Sequence, residues 1–124
     1  MTRRRAVRSE HALHRAVAAY LAAVLPADAF WTTFPAGSGG KARGGQLKAA
    51  GLRPGVPDLI LLYRGRFLGI ELKSAKGRVS DAQQACRALI LAAGGAWAEC
   101  RSLDDIELAL TEFRVPLRGR VRVA

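Results

Sequence analysis

The sequence is poor in the residues on which several protein classes depend. Its two cysteines, Cys86 and Cys100, lie apart in apolar surroundings and lack metal-ligand spacing. We expect both to be buried and reduced, which favours a cytoplasmic protein. No apolar run approaches the roughly 18 residues of a membrane-spanning helix. The stretch Gly39-Gly40-Lys41-Ala42 lacks both the spacing and the following Ser or Thr of a phosphate-binding loop. Disulfide-rich, membrane-spanning and P-loop classes are therefore disfavoured.

Acidic residues are also scarce. Ten Asp and Glu stand against 20 Lys and Arg, which gives a formal net charge of +10. Such an excess indicates a polyanionic partner, and nucleic acid is the leading candidate. The 124 residues are 50% hydrophobic, enough for a single core over residues 9–113 between a basic arm, 1–8, and a basic tail, 114–124. A mitochondrial presequence is the weaker interpretation of the arm, because Glu10 and Asp28 follow it early.

The first amphipathic pattern predicts a helix over residues 10–25. Ser9 can cap it and Pro26 ends it. The apolar stripe of this helix passes through Leu13, and Glu10, three residues earlier, lies on the same inward face. The helix dipole alone would also favour an acid in the first turn.

Further patterns complete the expected elements. They predict a strand over residues 30–34, a helix over 81–93 that Ser80 and Gln83 open as a capping box, a strand over 96–100, and a last helix from Ser102 through Phe113. In the helix over 81–93 we expect the inward residues to be Ala85, Leu89 and Ala92 or Ala93.

Two apolar strands surround an Arg64-Gly65 turn, which predicts a hairpin. Both faces of its strands carry apolar residues, as expected for the middle of a sheet that helices cover. In a two-residue turn, residues whose numbers sum to 129 lie opposite one another. Asp58 then faces Glu71 with Cβ atoms about 4.5–5.5 Å apart, a placement of like charges that destabilises a sheet. A divalent cation would offset this repulsion. Lys73, on the same strand face as Glu71, adds a third polar group.

These residues suit metal-dependent hydrolysis of a phosphodiester. We expect Asp58 and Glu71 to ligate Mg²⁺ or Mn²⁺ together with the Leu72 carbonyl. Lys73 would hold the attacking water or the transition-state charge. Glu10 would complete the site through a water or a second ion. His11 and His14 lie near Glu10, where facing solvent or DNA is a simpler role than binding a metal.

A glycine-rich segment between the first strand and the hairpin carries four cations. Backbone freedom and positive charge suit a loop that closes over a phosphate backbone, although a plain solvated loop remains open as an interpretation. The candidate DNA-binding residues are Lys41, Arg43, Lys48 and Arg53.

Each candidate also has a purely structural interpretation. Asp58 could be a turn acid, Lys73 a strand end with its charge in solvent, and Gln83 no more than half of the capping box. For Asp58, Glu71 and Lys73 together, chance would have to supply register, spacing and context at once. For Gln83 the two interpretations stay open.

The ordered set of Glu10, the run Gly55-Val56-Pro57-Asp58, the run Ile70-Glu71-Leu72-Lys73, and Gln83 resembles the signature of the PD-(D/E)XK nuclease superfamily. Residues 51–59, Gly-Leu-Arg-Pro-Gly-Val-Pro-Asp-Leu, are similar to the VRR-nuclease branch, the virus-type replication and repair nuclease domain. The resemblance covers residues 10–113.

The resemblance implies an α/β fold with a restriction-endonuclease-like core: helix, three strands, helix, strand and helix, with a central mixed sheet flanked by helices. It also implies a divalent metal, DNA as substrate, and catalytic roles for Glu10, Asp58, Glu71, Lys73 and Gln83. Short stand-alone, phage-like members are most similar in size. For these the implied behaviour is a homodimer that cuts branched DNA such as four-way junctions in the cytoplasm of a bacterial or phage-infected cell.

Two other classes of function remain. The same fold could hold DNA without cutting it, with the positive charge supplying affinity, or it could serve as an interaction subunit of a replication or repair complex. A binding module has little reason to keep opposed acids in a basic protein, which favours the nuclease.

Overall fold

The structure, a computed structural model, describes residues 9–34 and 48–119 of the chain. Three long helices and four strands follow one another in the predicted order. They are α1 (Glu10–Val24), β1 (Phe30–Thr33), β2 (Leu59–Tyr63), β3 (Arg66–Leu72), α2 (Asp81–Ala92), β4 (Ala96–Cys100) and α3 (Leu103–Glu112). The α/β fold class and the order helix, three strands, helix, strand, helix are confirmed.

Serine side chains begin all three helices. The Ser9 hydroxyl accepts a hydrogen bond from the Ala12 N–H at 3.0 Å, and Ser80 and Ser102 cap α2 and α3 in the same way. Each cap satisfies one of the backbone donors that a helix leaves free at its first turn. The helix starts could therefore be read directly from the sequence.

The strands form one mixed sheet in the order β1-β2-β3-β4. β1 and β2, and β2 and β3, are antiparallel, whereas β3 and β4 are parallel. The hairpin register is as predicted, with Leu59 opposite Ile70 and Tyr63 opposite Arg66. Arg64 and Gly65 both have positive φ, 52° and 78°, as the mirror-image hairpin turns require. β2 and β3 are the two central strands.

The main core lies on one face of the sheet, where α1 and α3 pack. Leu59, Leu61 and Ile70 point to this face and are at most 1% exposed. The helices contribute apolar stripes, which comprise Leu13, Val17 and Leu21 of α1 and Ile106 and Leu110 of α3. Because alternate residues of a strand point to opposite faces, the other face receives Ile60, Leu62, Gly69 and Glu71.

Helix α2 covers part of that second face, with an orientation that differs from the prediction. Ala85, Leu89, Ala92 and Ala93 are exposed, so the expectation that they face inward is wrong. The inward residues are instead Gln83, Cys86 and Ile90, with Ile90 against Gly69.

Most of α2 is apolar, so its periodicity did not choose a side. Contacts with the sheet did. Gln83 hydrogen-bonds Glu71, and Ile90 packs over Gly69. These contacts turn the stripe at positions i, i+3 and i+7 toward the sheet.

The first part of the predicted basic tail packs against the domain. Val115 is buried, and the Arg118 N–H donates to the Val24 carbonyl at 2.8 Å, at the end of α1. Both cysteines are buried free thiols, as predicted, and burial raises the pKa of the Cys100 thiol to about 12. No helix within residues 9–34 and 48–119 is both long and apolar enough to cross a membrane.

Candidate active site

The candidate site lies at the end of the β2–β3 hairpin opposite its turn. Asp58 immediately precedes β2, Glu71 and Leu72 end β3, and Lys73 follows. Gly55 directs the chain into this corner with a φ of +78°, and a Cβ there would lie 2.2 Å from the Ala82 carbonyl oxygen of α2. Only glycine combines that backbone conformation with so close an approach. The chain thus crosses the start of α2 before it delivers Asp58.

Asp58 is tied to the opposite strand through its side chain. The recorded pairing of β2 with β3 ends at Leu59 and Ile70, one residue short of the predicted Asp58 and Glu71 pair. Asp58 Oδ2 accepts a hydrogen bond from the Leu72 N–H at 2.7 Å. The carboxylate is therefore held beside Glu71 and Leu72, as the predicted register required, while the geometry is that of a strand end.

Glu71 is 1% exposed, which is unusual for an acid. Its Oε2 accepts a hydrogen bond from Gln83 Nε2 at 2.6 Å and lies 3.7 Å from Lys73 Nζ. Its Oε1 is buried and has no hydrogen-bond partner within the described part of the chain. A buried oxygen without a donor costs free energy and calls for an explanation.

The surroundings of Glu71 favour its protonated form. Burial is the main cause, and the negative charge of Asp58 is the next; together they outweigh Lys73 and raise the pKa of Glu71 to about 8. A hydrogen bond that the protonated carboxyl can make with Asp58, and the charge of Glu10, raise this pKa as well. Two carboxylates this close can share one proton, and a divalent cation in that place would satisfy the same oxygens.

Gln83 is part of the capping box and also contacts Glu71. Its backbone N–H donates to the Ser80 hydroxyl at 3.1 Å, and its side-chain oxygen accepts from the Ser80 N–H at 2.8 Å. The same side chain donates its amide to Glu71. The capping box thus fixes the glutamine that orients the buried carboxylate.

A small cavity of about 180 Å³ opens on the α1 side of these acids, lined by Glu10, His11, His14, Asp58 and Leu72. The first turn of α1 therefore reaches the site, although Glu10 itself is exposed and is not turned into the core as its place on the apolar face predicted. No three His, Cys, Asp or Glu side chains within residues 9–34 and 48–119 are grouped closely enough to form a metal site by themselves. An ion held here would need backbone oxygen or water among its ligands.

The family model for the VRR-NUC domain matches residues 37–104, more than half of the chain. The chain belongs to the VRR-NUC family. Comparisons with curated proteins and with solved structures each gave no match.

The VRR-NUC match contains Asp58, Glu71, Lys73 and Gln83, and it begins after Glu10. The family is one of nucleases, which agrees with the resemblance seen in the sequence. Because α1 lies outside the matched segment, the family model does not include Glu10. The fold brings Glu10 next to the VRR-NUC residues.

The predicted DNA-binding residues of this VRR-NUC domain are only partly visible. Lys41 and Arg43 lie outside the described residues. Lys48 and Arg53 are exposed, and a further cation, Arg101, has an unpredicted place near the site. Arg101 Nη1 donates to the Ser74 carbonyl at 2.6 Å, directly after Lys73. The sequence signal for it was only a basic residue at the end of β4.

Proposed function

We propose that this protein is a Mg²⁺- or Mn²⁺-dependent DNA endonuclease that hydrolyses phosphodiester bonds in branched DNA such as four-way junctions. The observation that carries the proposal is the pair of carboxylates at the end of the hairpin, where a buried Glu71 oxygen beside Asp58 lacks a hydrogen-bond partner among the described residues. Membership of a nuclease family agrees with this chemistry.

The residues present fit a hard divalent cation. Asp58, Glu71 Oε1 and the Leu72 carbonyl would hold it, and Glu10 would reach it through water. Oxygen ligands of this kind suit Mg²⁺ and Mn²⁺. When bound, the ion would lower the pKa of a water and withdraw charge from the phosphate.

The other site residues position the reacting groups. Lys73 is 8% exposed and pairs with Glu71, so its ammonium is held at the site and not in bulk solvent. From there it can orient the attacking water and stabilise negative charge on the phosphorane. Gln83 keeps Glu71 in one orientation through the 2.6 Å hydrogen bond.

Branched DNA calls for two coordinated cuts, which a homodimer with two sites would supply. Exposed leucines on two helices offer apolar surface for pairing: Leu89 and Leu91 of α2, and Leu108 of α3, are 50%, 42% and 58% exposed. A cytoplasmic location would place this nuclease beside its DNA.

A cleavage panel tests the function. The purified protein is incubated with labelled four-way junctions, forks, flaps and linear duplexes, with Mn²⁺, Mg²⁺ or EDTA. We expect metal-dependent cutting of the junction before the duplex, and no cutting by Asp58→Asn. Binding without cleavage by the wild type under all conditions would instead support the DNA-binding module.

A further inference from the structure

We propose that the turn between β3 and α2, residues 74–79, is a clamp for the phosphate backbone beside the carboxylates, with Lys76 and Arg78 as its phosphate contacts and Arg101 as its positioning residue. This inference rests on the proposed function, because it assigns the clamp to the DNA strand that is cut. It adds a binding element to the residues that the sequence indicated.

The turn lies directly against the site. The Gly77 N–H donates to the Ser74 carbonyl at 3.1 Å, which closes the turn. A Cβ on Gly77 would lie 3.1 Å from Glu10 Oε2 and 3.4 Å from Lys73 Cδ. The backbone of the turn therefore packs between the acid of α1 and the lysine that follows β3. A strand held by this turn would pass over the carboxylates.

Arg101 braces the turn from the neighbouring strand. Its Nη1 donates to the carbonyls of Ser74 at 2.6 Å and Ala75 at 3.3 Å. Its Nη2 pairs with the Glu99 carboxylate, and its backbone N–H donates to Asp105 Oδ2 at 2.8 Å. A planar guanidinium with several fixed donors suits this bridging role better than a lysine would.

The pairing of β3 with β4 also supports the turn. The Lys73 N–H donates to the Cys100 carbonyl at 3.1 Å, so the strand contact continues to the last residue before the turn. The start of the turn is thus held by both the backbone and the Arg101 side chain. Such support lets an exposed turn keep its place relative to the site.

The cations of the turn are available to a ligand. Lys76 and Arg78 are exposed. Within the described residues neither has an ion pair or a side-chain hydrogen bond, whereas Arg64 pairs with Asp28 and Arg101 with Glu99. The adjoining carboxylates repel a phosphate backbone, so cations at the rim of the site would offset that repulsion.

The test measures DNA binding without metal. Affinity of a labelled four-way junction and of a linear duplex is measured by fluorescence anisotropy across a salt series for wild type, Lys76→Gln and Arg78→Gln. Each variant should reduce the salt slope by about 0.9 and weaken binding about five-fold at 0.15 M salt, as expected for one lost phosphate contact.

Arg64→Gln is the matched control. It removes the same charge from the hairpin turn, at the far end of the seven residues of β3 and about 20 Å from the site. Its slope should stay within 0.3 of the wild type. An equal loss in Arg64→Gln, or unchanged slopes in Lys76→Gln and Arg78→Gln, would overturn the clamp and leave only net charge.

Arg101→Gln tests the positioning role. It should lower the salt slope as the double variant Lys76→Gln/Arg78→Gln does, and combining all three changes should add less than the sum. Full additivity would show that Arg101 acts elsewhere. Cleavage of DNA by the wild type with Mn²⁺ is measured separately. If the variants change the salt slope but the wild type cuts no DNA, the nuclease proposal is refuted and the DNA clamp stands. If the wild type cuts DNA but the variants leave the salt slope unchanged, only the clamp is refuted.

Discussion

Replacing Glu71 with glutamine should stabilise the metal-free protein in a way that depends on pH. Burial, followed by the charge of Asp58, raises the pKa of Glu71 from 4.5 to about 8. Between these two pH values, Glu71 keeps its proton in the folded protein, whereas it has lost the proton in the unfolded chain. The contribution of Glu71 to stability is therefore largest below pH 4.5 and falls as the pH rises toward 8.

The magnitude follows from the two pKa values. Each pH unit between them costs about 1.4 kcal/mol, so ionisation of Glu71 should by itself lower the unfolding free energy of the wild type by roughly 3–5 kcal/mol between pH 4.5 and pH 8.5. Near pH 5 the wild-type side chain is mostly protonated, so it is neutral and close in shape to glutamine. The two proteins should then agree within about 1 kcal/mol.

Urea denaturation in EDTA at pH 5, 6, 7, 8 and 8.5 measures the difference. Glu71→Gln should gain stability over the wild type steadily up to pH 8 and no further. Glu112→Gln, the same change on an exposed position of α3, serves as the control and should show a flat difference. A difference between Glu71→Gln and wild type that is equal at pH 5 and pH 8.5 would refute the reasoning.

Three further predictions concern the site. Asp58→Asn should abolish cleavage, yet bind DNA in EDTA at least as tightly as the wild type because a charge that repels phosphate is gone; cleavage near the wild-type rate would place the site elsewhere. Lys73→Ala should lower the single-turnover rate far more than Mn²⁺ affinity by calorimetry, and equal losses would mean that it only organises ligands. Saturating Mn²⁺ should raise the melting temperature of the wild type and not of Glu71→Gln, whereas an equal rise in both would exclude Glu71 as a ligand.

A further prediction concerns assembly. Light scattering at micromolar concentration should give a dimer, with or without a four-way junction, and Leu89→Glu or Leu108→Glu should weaken it if the exposed leucines form the interface. A monomer in both conditions would contradict paired incisions and favour the processing of flaps or ends.

The sequence predicted where helix α2 begins but not which of its faces is buried. Ser80 and Gln83 gave its start, because a capping box is made between residues three apart in the chain. The inward face was predicted at Ala85 and Leu89 and lies at Cys86 and Ile90. Apolar residues run around much of this helix, so only the sheet beneath it could select a side. Exposed leucines are the result, and they are now candidates for an interface.

The contacts of Arg101 at the site could not be predicted from the sequence either. Its partners Ser74 and Ala75 are more than 25 residues earlier, and no spacing in the sequence indicates the contact. The parallel pairing of β3 with β4 brings the two segments together. The burial of Glu71, and with it the raised pKa, also depends on α2 lying over the end of β3.

The sequence by itself determined the helix caps, the order of elements, the hairpin register and hence the meeting of Asp58 with Glu71 and Lys73. These features follow from hydrogen bonds and side-chain periods that repeat over two to four residues, or from one tight turn. The tertiary structure alone decided the side of α2 that faces the sheet, the contact of Gly77 with Glu10, and the bracing of the turn by Arg101. Such contacts join distant parts of the chain, and only the packing of a whole core selects among them.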